Sequence, residues 1–192
     1  MSRLSEDNQQ KQSGFGLVAI ALHWAVAILT VLLFALGYWM VTLDYYSSWY
    51  QIAPQWHKNF GVLVSALVTV RWLWYRFKSR PEGLVTMTTQ QLVLSRIAHI
   101  SMDILIMLLA VSGYLMVTAQ GQSLIVFDIF LIPAVLDNVA NLEDSAGLIH
   151  CYLAYTIIVL ATGHSLVALK HHYFDKDATL LRMIGRNHNQ SL

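Results

Sequence analysis

The sequence predicts an all-α protein, a four-helix transmembrane bundle with both termini on the cytoplasmic side. Three observations predict it. The 192 residues are 56% hydrophobic and 12% charged, with a mean hydropathy of +0.52, whereas soluble domains carry about 25% charged residues. Four apolar stretches reach the roughly 20 residues that span a bilayer. Lysines and arginines gather on alternate connections, the signature of cytoplasmic loops.

Residues 1–14 are polar and unpatterned and read as a disordered segment. They lack the basic start, short apolar run and small-residue cleavage site of a removable signal peptide. The four-helix domain is expected over 15–184, with helices at about 15–43, 57–75, 97–118 and 148–169, followed by a polar tail at 185–192. The net charge of +1 is less informative than its distribution. Arg3 and Lys11 precede helix one. Arg71, Arg76, Lys78, Arg80 and Arg96 flank the second connection, and Lys170, Lys176, Arg182 and Arg186 follow helix four. The other two connections hold Lys58 against Asp44, Asp128, Asp137, Glu143 and Asp144. The third connection contains SLIVFDIFLIPAVL, which is apolar but too short to span and is broken by Pro133. It is expected as an interfacial segment on the outer surface, with a short re-entrant element as the alternative. Cys151 is the only cysteine, so no internal disulfide forms. Membrane lipid is the expected surroundings, and no nucleic-acid partner is expected. The oligomeric state is open, a homodimer included.

Ionisable groups inside a membrane are expensive and usually functional, which focuses attention on the histidines of the chain. His171, His172 and His188 fall in the polar end and read as interfacial. His150 and His164 share helix four at an i, i+14 spacing. That spacing is nearly four helical turns, so both lie on one face, roughly 21 Å apart. It suggests two stacked sites, because a zinc pair on one helix wants a spacing of three or four. His23, two turns into helix one, is level with His164. His57, opening helix two from the outer side, is level with His150. Two imidazoles on facing helices can clamp a planar haem. The competing explanation is helix–helix hydrogen bonding.

Neighbouring residues extend the pattern. Gly61, four residues after His57, would admit a porphyrin edge. Gly37 stands in the same i, i+14 register to His23 and should face the outer level. Both glycines could equally serve close helix packing. Arg71 stands in that register to His57 and should face the inner level. There it would either pair with a haem propionate or snorkel to the interface. Lys58 is the lone outer cation, suited to the outer propionates or to attracting an anion. His99 and Asp103 lie four apart in helix three, as a proton relay or as an interfacial hydrogen-bonded pair.

The residues resemble the bacterial di-haem cytochrome b561 family over about 15–183. The resemblance rests on LHW at 22–24, His57 with Gly61, VRWLWYRFKSRPEG at 70–83, IAH at 97–99 and SGYLM at 112–116. Its most specific parts are the His150…His164 spacing and KHHYFDKDATLLRMI at 170–184. It implies a four-helix bundle in the bacterial inner membrane holding two haem b groups, with metal ligands that fall on His23, His57, His150 and His164. It also implies electron exchange with a quinone, and in some members an outer donor that is superoxide or a protein. The connection at 120–145 is longer than in compact members. Two other functions compete: a haem-bearing anchor subunit relaying electrons for a dehydrogenase or hydrogenase, and a haem-free transporter using histidines as a proton path. Paired Gly/Pro-interrupted helices, the mark of many transporters, are absent from the sequence.

Overall fold

The computed structural model describes residues 16–77, 88–136, 138–177 and 179–185. The expected disordered N-terminus and the polar tail beyond 185 lie outside them, as do Lys78, Arg80 and Asp137. Four long helices, α1 (Leu17–Met40), α2 (Ile52–Phe77), α3 (Thr89–Thr118) and α4 (Leu142–Tyr173), are each long and apolar enough to cross a membrane. A two-stranded hairpin, β1 (Leu124–Val126) and β2 (Phe130–Ile132), precedes α4, and a short helix, α5 (Thr179–Met183), follows it.

Local chemistry sets the ends. Pro54 falls in the first turn of α2, where a missing N–H is harmless. Thr88 starts α3 with a capping box, its hydroxyl accepting from the Gln91 amide while the Gln91 side chain accepts from the Thr88 amide. Glu143 and Asp144 sit in the first turn of α4, and Lys170, His171 and His172 in its last, each complementing the helix dipole. These polar turns explain why α3 and α4 start earlier than the apolar runs alone suggest. Helix and hydrophobic span are different quantities, and both helices extend past the bilayer core.

α1 packs along α2 and α3 along α4, with α2 against α3 and α1 against α4 completing the bundle. Its core is a single apolar layer of Val26, Val64, Val68, Ile106 and Ile157, drawn from all four helices. Ile157 lies midway between His150 and His164 in sequence, so this layer separates the two histidine levels. Large apolar side chains such as Ile28, Val31, Leu108 and Val159 point outward. Lipid covers such a surface, and the backbone is satisfied within the helices.

The third connection forms a two-stranded hairpin and not a fifth long helix. Leu124 pairs with Ile132 and Val126 with Phe130, closed by Phe127 and Asp128 with φ of 51° and 56°. The hairpin is tied to the start of α2. Buried Asn59 accepts from the Phe127 amide at 2.9 Å, Gln55 Nε2 donates to the Ile125 carbonyl at 3.1 Å, and Phe127 meets Phe60 edge-on. On the other side, the Tyr114 hydroxyl donates to the Pro133 carbonyl and accepts from the Val135 amide. Asn59→Ala removes the acceptor that holds the left-handed Phe127, at a cost of about 1–3 kcal/mol for the buried amide left unmade. Chymotrypsin cleavage at Phe127 and Phe130 should accelerate severalfold in this variant. An unchanged cleavage rate would show that Gln55, Phe60 and Tyr114 hold the hairpin without Asn59.

Candidate functional site

The histidines converge at two levels. At the outer level His57 of α2 and His150 of α4 approach with ring centroids 6.1 Å apart. Two small residues make room for them. A Cβ on Gly37 would lie 3.0 Å from His57 Cε1, and one on Gly113 would lie 3.2 Å from His150 Cε1. Gly37 therefore faces the outer level as its spacing from His23 requires. Gly61 behaves differently: a Cβ there meets nothing within 4 Å, so it does not mediate close helix packing. Lys58 is half-buried beside His57.

The hydrogen bonds of His150 fix its chemistry. Nδ1 lies 3.0 Å from the Leu109 carbonyl and 3.1 Å from the Ser112 hydroxyl. A carbonyl only accepts, so Nδ1 carries the proton and Nε2 keeps its lone pair. His57 Nδ1 is buried without a well-formed hydrogen bond, although the Leu33 backbone is close enough to interact.

At the inner level three imidazoles meet instead of two. His99 of α3 lies 5.9 Å from His23 of α1 and 4.7 Å from His164 of α4, centroid to centroid. Below them, α5 folds back so that Trp24 Nε1 donates to the Met183 carbonyl at 2.8 Å, and the Trp24 ring stands edge-on to His23. Arg71 reaches this level from α2 but does not snorkel to the interface. It is 8% exposed and ion-paired with Asp103 of α3, whose other oxygen accepts from Trp72 Nε1 at 2.9 Å. The carboxylate of Asp103 thus binds two side chains of α2, and the ring of His99 stands close to those of His23 and His164. Just past the C-terminal end of α4, hydrogen bonding from Lys170 and then His171 holds the Asp175 carboxyl below its ordinary range.

Sequence patterning locates His23, His57, His150, His164, Gly37 and Arg71 at these levels and misses three things. His99 belongs to the inner cluster, Gly113 cradles His150, and Leu109 with Ser112 orients it. One signal points to the first two: His99 and Gly113 stand in the same i, i+14 register that links His23 to Gly37 and His150 to His164.

Residues 14–186 match the family model for prokaryotic cytochrome b561. The chain belongs to that family. It is therefore a membrane haem b electron-transfer protein and a multi-pass protein of the bacterial inner membrane. It is 39% identical to cytochrome b561 homolog 2 of Escherichia coli K12 over 173 residues, covering 90% of this chain and 92% of that one. It is 28% identical to cytochrome b561 homolog 1 of the same organism, covering 90% and 97%. It is 27% identical to the probable superoxide oxidase CybB of Yersinia pestis, covering 90% and 96%.

The site of this cytochrome b561 suits haem b on its own geometry. Metal–imidazole bonds of about 2 Å on both sides of an iron set ring centroids about 6 Å apart, and the outer pair stands at 6.1 Å. The proton on His150 Nδ1, held by a carbonyl, is the arrangement that presents Nε2 to a metal.

Proposed function

We propose that this cytochrome holds two haem b groups, the outer on His57 and His150 and the inner on His23 and His164, and passes electrons between an outer donor and a quinone. The observation that carries the proposal is the pair of histidine clusters on one bundle interior, separated by the apolar layer around Ile157. Bound haem supplies one-electron cycling of iron between ferric and ferrous states.

The protein does the rest. His150 and its Leu109 carbonyl fix one ligand ring, and Gly37 and Gly113 let the outer imidazoles enter the bundle. With two histidines to hold each haem, the iron would have no site left for oxygen, which favours electron carriage over oxygen activation. The valine and isoleucine layer keeps water from joining the two levels. Lys58 beside the outer site and Gly61 on its helix complete the residues assigned to cofactor contact. Arg71 supports the inner level through Asp103 as well as facing the inner haem's propionates. Quinone and superoxide enter through the family and through the naming of the Yersinia pestis relative. The Lys/Arg distribution supports cytoplasmic termini and a hairpin on the outer surface.

A dithionite-reduced minus oxidised spectrum of the purified chain, with haem quantified per polypeptide, tests the proposal. Sharp b-type bands at about two haems per chain, falling to about one in His57→Ala, are expected. A preparation that is colourless and cannot take up haem would overturn it. Quinone reduction by the purified chain alone then separates a self-sufficient carrier from an anchor that serves a partner enzyme.

A further inference from the structure

We propose that His99 is a reserve ligand of the inner site, able to take the position opposite His23 when His164 is absent. The proposal rests on the two-haem assignment above and concerns only which imidazoles can serve the inner iron.

The centroid separation of His23 and His99, 5.9 Å, is close to the 6.1 Å of the outer pair. His99 and His164, at 4.7 Å and edge-on, are too close to flank an iron between them, since two metal–nitrogen bonds alone occupy about 4 Å. They are therefore alternatives to each other: the His99 ring stands 5.9 Å from that of His23, and His164 lies within electrostatic range of it. The helix register supports the same conclusion independently. Gly113, nearly four turns beyond His99 on α3, cradles His150 at the outer level. The face of α3 that meets the outer site is therefore the face that carries His99 at the inner one. The two levels differ in consequence: α3 gives the outer site a glycine, a serine hydroxyl and a carbonyl, and gives the inner site a third imidazole.

The test compares haem content and the electron paramagnetic resonance of the ferric protein in four variants. His150→Ala is expected to fall from about two haems per chain to about one, because no other imidazole faces His57 among the described residues. His164→Ala is expected to keep about two, with the inner haem still low-spin but at shifted g values. His99→Ala keeps about two, and His99→Ala/His164→Ala falls to about one. Loss of the inner haem in His164→Ala, or its conversion to a high-spin five-coordinate species, would overturn the proposal. If His164→Ala fails to accumulate, His164→Leu, which preserves the apolar surface of α4, carries the same comparison. Fewer than two haems in the unsubstituted protein would instead refute the two-haem assignment, a separate failure seen in the first measurement.

Discussion

Gly37→Val should remove the outer haem and leave the inner one in place. A Cβ at this position already comes within 3.0 Å of His57 Cε1 and 3.5 Å of its Nδ1. Valine adds two branched methyls in a helical rotamer that is almost fixed, so the imidazole must yield. His57 cannot retreat and still stand 6.1 Å from His150. Haem content should drop from about two per chain to about one, with the spectrum of the remaining haem unchanged, since the inner level lies roughly 21 Å away. Gly113→Val should do the same through His150, whose Cε1 would meet the new Cβ at 3.2 Å. Gly61→Val separates space from clash. No protein atom lies within 4 Å of a Cβ there, so the fold should tolerate it. Replacing a helical glycine with valine even gains roughly 0.3–0.5 kcal/mol of helix propensity. Outer haem should nonetheless bind more weakly, because the proposal gives that space to the porphyrin edge. Full haem content in both Gly37→Val and Gly113→Val would show that the outer imidazoles are not the ligands.

These glycines also show what patterning alone can and cannot convey. Depth along a helix follows directly from residue number, so the i, i+14 register suffices to put Gly37 and Arg71 at their levels. Partner choice within a level does not follow from it. Arg71 reaches the inner level as its register requires, yet its neighbour there is Asp103, a residue that proximity in sequence joins to His99. Four residues along a helix bring two side chains near each other, but sequence spacing says nothing of the buried guanidinium that the next helix brings to the same carboxylate. The hairpin is illegible for a related reason. Its strands are three residues each, and what holds them is Asn59, far upstream on α2, and Tyr114 on α3. The polar first turns of α3 and α4 are readable from Thr88, Gln91, Glu143 and Asp144, but only by looking for caps beyond the apolar runs.

Asp103→Ala should destabilise the bundle by about 3–5 kcal/mol, the usual cost of stripping a buried charge of its partner. Arg71 is 8% exposed and Asp103 4%, so neither group can recruit water freely once the other is gone. Trp72 loses its acceptor in the same substitution. Asp103→Asn separates the two losses, since it keeps an oxygen for the indole N–H while removing the negative charge. It should be milder than alanine in thermal unfolding in detergent. It should also leave the neighbourhood of the inner level one negative charge poorer. An extra positive charge favours the reduced haem, so the inner midpoint potential should rise. For one unit charge at an effective dielectric of ~20 the rise is on the order of tens of millivolts. The outer potential, on the far side of the apolar layer, should move much less. The paired replacement Arg71→Met/Asp103→Leu removes both charges and should recover most of the lost stability, as apolar substitutes for buried ion pairs often do. If the double variant is as unstable as Asp103→Ala, the ion pair is not the source of the loss. If Asp103→Asn lowers the inner potential or leaves it unmoved, Arg71 does not act on the inner haem, and the pair serves only to join α2 to α3.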